Sequence, residues 1–267
     1  MKLAVSQIAW PLAEDDRIHQ LLCQQHITGL EIAPSRFVDH KEPYAQLATA
    51  EALANALRAR YGLTLPSMQS IWFGRTEQLF GSAAEYALLL DYTRQAIRFA
   101  AAIHCPHLVF GCPKNRVARS PESYETAIAF FRDIGAYAAQ YAVTIGIEAN
   151  PAIYGTNFLY TLNEVAQFVR ETTQDAVRIN LDIGAMVEND ETEDDLIPLL
   201  PLISHVHLSE PYLVAIKERP LHCRIAALLR EVDYMGYVSL EMRTGDEGST
   251  SELMQSITYL TRVFGDE

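Results

Sequence analysis

The sequence predicts an α/β protein that folds as a single (β/α)8 barrel, the TIM-barrel architecture, with residues 1–267 in one domain. The first observation is a run of eight strand-then-helix units without a linker, a low-complexity stretch or a shift in composition. The second is that each of the last four predicted strands carries an acid or a histidine near its carboxyl end. The third is that no glycine-rich phosphate loop follows the first strand, which disfavours an open doubly wound sheet. Eight parallel strands close into a barrel whose active site lies at their carboxyl ends.

Four strand-then-helix units account for the first half of the chain. Pro34 ends the second strand, Gly62 suits a helix C-cap, and Ser82 stands where the third helix begins. Ser120 followed by Pro121 suits the N-cap and the first position of the fourth helix. The predicted strands are residues 3–8, 29–33, 63–70 and 107–111, and the predicted helices are residues 14–25, 44–61, 83–103 and 121–141.

The second half repeats the same design four more times. Its strands are short apolar segments with alternating polarity, and its helices follow at intervals typical of strand–helix–strand units. Pro198 interrupts the second of these helices. The predicted strands are residues 143–150, 176–184, 203–210 and 237–243, and the predicted helices are residues 161–172, 191–200, 221–233 and 251–264.

Composition narrows the classes of function. Hydrophobic residues make up 49% of the 267 positions and charged residues 21%, as in ordinary soluble globular proteins. The net charge of -13 disfavours nucleic-acid binding, which rewards clustered Lys and Arg, and only residues 114–119 form a basic patch. No stretch reaches the roughly 20 apolar residues of a membrane span, and no signal-peptide pattern opens the chain. We therefore expect a cytoplasmic protein with no nucleic-acid or membrane partner. The four cysteines form no C-x-x-C pair and predict no disulfide framework.

Four side chains at the ends of the second-half strands are competent to bind a metal: Glu148, Asp182, His207 and Glu241. They are 34, 25 and 34 positions apart, close to the roughly 30 residues that one strand-plus-helix unit occupies. If the four strands are parallel neighbours, these side chains meet at one mouth of the barrel.

Side-chain direction supports this interpretation. In the strand ending at Glu148, the alternation puts Ile145 and Ile147 on one face and Glu148 on the other. The other three strands show the same division, with aliphatic residues opposite the polar residue at the end. The apolar face suits contact with the surrounding helices, and the polar face suits the barrel interior. His205 shares the inward face with His207 but lies one layer deeper, either as a hydrogen-bonded interior histidine or as a residue that supports the site.

The motifs I-G-I-E-A-N-P, N-L-D-I-G, H-V-H-L-S-E and S-L-E-M, in this order, resemble the xylose-isomerase-like barrel superfamily. Within it, the chain resembles sugar epimerases of the tagatose and psicose 3-epimerase type, with inosose dehydratase and hydroxypyruvate isomerase as relatives. The resemblance implies one divalent metal ion (Mn, Mg, Co or Zn) bound by Glu148, Asp182, His207 and Glu241. It also implies that Glu148 and Glu241 move the substrate proton as the catalytic pair, and that the chain forms a dimer or a tetramer.

The residue types are suited to this chemistry. Removing a proton beside a carbonyl group creates an enediolate, whose negative charge a divalent cation stabilises. Two carboxylates on opposite faces of the carbon act as base and acid. Three carboxylates and one neutral imidazole form an oxygen-rich ligand set that suits Mn or Mg and tolerates Zn or Co.

Two positions depart from the epimerase pattern. Ala185 stands where these enzymes place a histidine, and Leu213 stands where they place an arginine, so the substrate contacts differ from those of a free-ketohexose 3-epimerase. Lys114 and Arg116 lie in the loop after the fourth strand. They either bind a phosphate or carboxylate group of the substrate or remain solvated. The residues predicted to bind substrate are Gln69, Lys114, Arg116, Asn180, Glu210 and His222.

The sequence favours a metal-dependent sugar or sugar-derivative isomerase or epimerase with a small carbohydrate substrate. A metal-dependent dehydratase of keto-sugars or keto-inositols on the same barrel is the main alternative. An endonuclease with a trinuclear zinc cluster fits less well, because the chain is acidic and has few histidines at its strand ends. A non-catalytic binding barrel is the remaining alternative.

Overall fold

A computed structural model gives the structure of the protein and describes residues 1–244 and 250–265. Its centre is one sheet of parallel strands in the order β2-β1-β7-β6-β5-β4-β3. Each strand pairs in parallel with its neighbours, so all carboxyl ends lie at the same end of the sheet. The strands are β1 (Lys2–Ser6), β2 (Gly29–Glu31), β3 (His107–Phe110), β4 (Thr144–Glu148), β5 (Val177–Asp182), β6 (Ile203–Leu208) and β7 (Tyr237–Leu240).

Helices connect successive strands and pack against the apolar face of the sheet. Two of the longer helices begin with a capping box, in which Ser82 or Thr161 accepts a hydrogen bond from the backbone of a glutamate three residues later. Gly62 ends another at a φ of 69°, a left-handed conformation that favours glycine. The helices are α1 (Asp15–Gln24), α2 (Pro34–Phe37), α3 (Leu47–Tyr61), α4 (Ala83–Ala102), α5 (Glu122–Ala139), α6 (Leu162–Thr172), α7 (Ile183–Glu188), α8 (Glu193–Leu196), α9 (Pro220–Glu231) and α10 (Thr250–Phe264).

The predicted third strand, residues 63–70, is not a regular strand. Pro66 lies in its middle and has no N–H to donate to a strand ladder. The segment still connects the two edges of the sheet, because Met68 bridges both to Ile32, next to β2, and to Leu108 in β3. Among the described residues the sheet therefore has seven regular strands, where the sequence predicted eight.

Other differences concern short elements. The sequence did not predict α2 and α7, both of which begin directly at the carboxyl end of the barrel. The predicted helix over residues 191–200 is one turn of α helix, α8, followed by a 3-10 segment, Ile197–Leu202, that contains two prolines. The predicted strand over residues 237–243 ends at Leu240, which leaves Glu241 at the start of the following loop.

The contacts of β4 agree with the predicted division of this strand into two faces. Ile145 and Ile147 of β4 are fully buried in the apolar core. Gly146, between them, faces the ring of His107, and a Cβ there would lie 2.5 Å from that ring. The barrel interior is therefore filled by polar side chains up to the β4 backbone.

Within the described part of the chain, no helix has the length and apolar character needed to cross a bilayer.

Candidate metal centre

Four side chains converge at the carboxyl end of the sheet. Glu148 and Asp182 are the last residues of β4 and β5, His207 is near the end of β6, and Glu241 directly follows β7. One potential ligand atom from each residue lies within 4.8 Å of the other three. All four residues are buried, His207 completely. The structure thus brings together the four residues that the sequence predicted as metal ligands.

The dimensions of this four-residue cluster suit a single ion. His207 Nδ1 lies 3.3 Å from Glu148 Oε2 and 3.1 Å from Glu241 Oε2. Ions such as Mg or Zn sit about 2.0–2.2 Å from oxygen and nitrogen ligands, so ligand atoms around one ion are about 3–4.4 Å apart. Three carboxylates and one imidazole therefore fit around one divalent cation after small adjustments.

The electrostatics of the cluster also favour a cation. Burial and the nearby carboxylates of Glu148 and Glu241 raise the pKa of Asp182 to about 7. Burial likewise raises the pKa of Glu241, although His207 opposes the shift. Buried carboxylates this close together repel one another unless a positive charge compensates them.

His207 lies between two sets of carboxylates. Its Nε2 is 2.9 Å from Glu31 Oε2, on the side facing away from the cluster. Burial alone disfavours the charged ring, but Glu31 and Glu241 raise the pKa of His207 well above its ordinary value. Burial opposes ionisation of Glu31 as well, yet His207 and His205 hold the pKa of Glu31 well below its ordinary value. The nearby carboxylates thus favour the protonated form of His207, and the two histidines favour the ionised form of Glu31.

Two amide side chains orient Glu148. Asn150 Nδ2 donates to Glu148 Oε1 at 2.8 Å, and Asn180 Nδ2 donates to Glu148 Oε2 at 2.9 Å. Arg116 in turn donates to Asn150 Oδ1 at 2.6 Å and to the Glu148 carbonyl at 2.8 Å. Burial lowers the pKa of Arg116 to about 10. The Glu148 carboxylate is thus fixed by a chain of buried donors.

Asp182 is held by the start of α7. Its Oδ1 accepts hydrogen bonds from the Ala185 backbone N–H at 2.8 Å and from Ser209 Oγ at 2.5 Å. Ser209 Oγ also accepts from the Gly184 N–H at 3.0 Å. Asp182 is therefore both the N-cap of α7 and a member of the cluster.

A small cavity of about 160 Å³ opens beside the cluster. Its polar surface includes three of the four cluster residues, and the apolar part of its wall includes Leu213, at one position that departs from the epimerase pattern. Ala185, at the other such position, is buried beneath the site. The cavity is lined by Gln69, Ser70, Val109, Gly111, Cys112, Pro113, Glu148, Asn150, Tyr154, Asp182, Leu213 and Glu241.

Only one of the residues predicted to bind substrate lines this cavity. Gln69 does so while donating to Ser6 Oγ at 2.6 Å. Arg116 and Asn180 are buried beneath the cavity and contact Glu148 or its neighbour, as described above.

The remaining three predicted substrate-binding residues do not line the cavity. Lys114 is exposed in the loop after β3. Glu210 forms a two-point ion pair with Arg219, at 2.7 and 2.6 Å. His222 lies inside α9 with its Nδ1 3.2 Å from the Tyr259 hydroxyl. A substrate role for these three residues stays a prediction without support from their positions.

Sequence reasoning missed several contributors to the site. From its place on the second predicted strand, Glu31 is a candidate substrate contact, but in the structure it lies beneath the cluster and contacts His207. Ser209, which follows β6, was not identified. Tyr154, in the loop after β4, is one of the loop aromatic residues for which the sequence suggests either a place in the wall of a sugar pocket or a packing role, and it lines the cavity. The one available signal was position, because polar residues that follow barrel strands tend to face the mouth.

A parallel α/β barrel with a polar cluster at the carboxyl ends of its strands defines a broad class of proteins. Within that class, the family described as the xylose isomerase-like TIM barrel has a sequence profile that matches residues 27–262. The chain belongs to this family. A sequence search among curated proteins finds no match.

Solved structures of similar shape agree with this assignment. A D-psicose 3-epimerase crystallised in the presence of D-fructose has a TM-score of 0.80 at 16% identity, and each chain covers 100% of the other. A D-psicose 3-epimerase from Clostridium cellulolyticum H10 with D-tagatose has a TM-score of 0.80 at 14% identity over 100% of both chains. The 3-keto-D-glucoside 4-epimerase from E. coli has a TM-score of 0.76 at 18% identity over 98% of both chains. At these identities the likeness concerns the fold.

Proposed function

We propose that the protein is a divalent-metal-dependent isomerase or epimerase of a sugar or sugar derivative. The proposed ligands of one Mn, Mg, Co or Zn ion are Glu148, Asp182, His207 and Glu241. The observation that carries the proposal is the buried convergence of these four side chains within 4.8 Å at the carboxyl end of the barrel. The solved structures of similar fold include sugar epimerases, which supports a carbohydrate substrate.

In the proposed reaction Glu148 and Glu241 move a proton at the carbon beside the substrate carbonyl. They come from β4 and from the loop after β7, with β5 and β6 between them, and both line the cavity. One carboxylate removes the proton, and the other delivers a proton to the enediolate carbon. The hydrogen bonds from Asn150 and Asn180 keep Glu148 aimed at the cavity. A bound divalent ion supplies stabilisation of the enediolate charge.

The closed eight-stranded barrel is part of the same proposal. Residues 63–70 take the place of the eighth strand and carry Gln69 to the cavity wall. Backbone hydrogen bonds to both neighbours support this, including Ile32 N–H to Ser67 at 3.1 Å and Val109 N–H to Met68 at 2.8 Å.

Metal analysis combined with deuterium uptake tests the proposed function. The purified protein, loaded with Mn²⁺, is incubated in deuterium oxide with a panel of ketoses, keto acids and their phosphates. We expect one bound ion per chain and solvent deuterium at a carbon beside the carbonyl of at least one sugar. Loss of water without deuterium-labelled epimer would indicate a dehydratase, and no bound ion would contradict the proposal altogether.

A further inference from the structure

The two ring nitrogens of His207 face different groups. Nδ1 faces the cluster, and Nε2 faces Glu31 at 2.9 Å. We propose that Glu31 is a positioning residue that keeps the proton of His207 on Nε2 and thereby presents Nδ1 to the metal. This inference rests on the proposed function, because it assigns a role to a side chain that supports one of the proposed ligands.

A carboxylate at this distance selects the histidine tautomer. Ionised Glu31 has only acceptor atoms, so the facing Nε2 must carry a hydrogen to form a favourable contact. A neutral imidazole carries one N–H, which leaves the lone pair of the other nitrogen free for a ligand. With the proton on Nε2, the free lone pair of Nδ1 points toward Glu148 and Glu241.

The surroundings of Glu31 leave its carboxylate available for this role. The side chain is fully buried, and no Lys or Arg of the described residues forms an ion pair with it. Glu31 Oε2 accepts a hydrogen bond from Ser67 Oγ at 2.6 Å and lies 3.2 Å from His205 Nε2. Ser67 and His205 therefore fix Glu31, and Glu31 fixes His207.

The binding of Zn²⁺ and Mn²⁺ to Glu31 variants tests the proposal. Loss of a group that orients a metal-binding histidine typically lowers metal affinity 10- to 100-fold. We expect Glu31→Gln, which retains an acceptor oxygen, to lie near the lower figure and Glu31→Leu near the upper one. Glu191→Gln, a substitution at a half-buried glutamate that accepts a hydrogen bond from the Leu162 N–H, serves as the control and should bind both ions as the unaltered protein does. Thermal unfolding of the ion-free variants shows whether each one is folded.

Nitrogen NMR adds a readout that general loss of structure does not imitate. In Zn²⁺-loaded protein with ¹⁵N-labelled histidine, we expect the His207 proton on Nε2, and in folded Glu31→Leu we expect that preference to weaken. If the unaltered protein and both variants bind one ion equally well, the inference about Glu31 is wrong while the proposed function stands. Two ions in the unaltered protein and one in Glu31→Leu would make Glu31 a ligand and also contradict the inference. No ion in the unaltered protein would overturn both proposals.

Discussion

The four residues of the cluster lie at or directly beside the carboxyl ends of β4 to β7, whereas β1 to β3 and residues 63–70 line the cavity or contact the cluster from below. In the second half, parallel pairing joins β4 through to β7, with a register shift between Ile179 and Asn180 where β5 pairs with β6. The first half contains the irregular segment with Pro66, and its polar residues contact the cluster from below or line the cavity. Glu31 and Gln69 are examples of these two roles.

This difference shows how the work of one site can be divided within a barrel. Side chains that would touch a metal come from consecutive strands, so each is placed by the pairing of its strand with the neighbouring strands. Side chains that orient those ligands come either from nearby positions, as Asn150 and Asn180 do for Glu148, or from across the barrel, as Glu31 does for His207. Substitutions of the four cluster residues in the second half should therefore abolish the proposed chemistry, and substitutions of the supporting residues in the first half should weaken it.

The largest effect is expected from the proposed acid and base. Glu148→Gln and Glu241→Gln should each lower the rate of solvent deuterium exchange into substrate by about 100- to 10,000-fold, because an amide does not transfer the proton. Exchange is followed by mass spectrometry at a saturating metal concentration, so that weaker metal binding does not dominate the result.

Glu164→Gln is the matched control for this loss. Glu164 accepts hydrogen bonds at the exposed start of α6, and glutamine serves the same capping role. Its exchange rate should equal that of the unaltered protein. Substantial exchange in either Glu148→Gln or Glu241→Gln would show that the second half does not supply the catalytic pair.

The second prediction concerns the pH dependence of the free energy of unfolding, which we expect to depend on a histidine outside the cluster. Burial lowers the pKa of His222 in α9 to about 4, compared with an ordinary value of 6.5. The unfolded chain therefore takes up a proton that the folded chain excludes, and the free energy of unfolding falls as the pH drops from 6.5 toward 4. His222→Gln should lose about 2 kcal/mol less than the unaltered protein between pH 7 and pH 5, as measured by urea unfolding.

An exposed histidine in the first half provides the comparison for His222. His104 follows α4 and is exposed to solvent. His104→Gln should therefore keep the pH dependence of the unaltered protein. Equal losses in the His222 and His104 variants would show that this buried imidazole does not determine the acid sensitivity.

The smallest effects are expected from the N-cap residues of α4 and α6, and they should lower the free energy of unfolding equally in the two halves. Ser82 Oγ accepts from the Glu85 N–H at 3.3 Å at the start of α4, and Thr161 Oγ1 accepts from the Glu164 N–H at 3.2 Å at the start of α6. Ser82→Ala and Thr161→Ala should each cost about 1 kcal/mol of unfolding free energy. Metal affinity, measured by titration, should stay unchanged in both variants, and a change in either would link that helix to the cluster.

The sequence predicted the cluster because its signal is local. Each of Glu148, Asp182, His207 and Glu241 ends a strand whose alternation can be read within eight residues. The pairing of Glu31 with His207 joins positions 176 apart, and no pattern near either residue indicates it. Chain folding decides such contacts, so only the structure reveals them.

The fold itself was predicted well except where local chemistry competes with the strand pattern. Pro66 stood inside the predicted third strand and was the available warning that this strand is irregular. Similarly, α7 begins directly after Asp182, whose side chain caps the helix while the residue also ends β5. Asp182 therefore both ends β5 and caps α7, and the alternating pattern of the sequence predicted only the end of the strand.

The irregular segment, residues 63–70, also interrupts the continuous pairing of strands around the barrel. Residues 63–70 are connected to their neighbours by isolated bridges rather than by a continuous ladder. Separating the wall there breaks fewer backbone contacts than separating β4 from β5. Ser67 lies in this interrupted segment, and its hydroxyl donates to Glu31, the carboxylate that contacts His207.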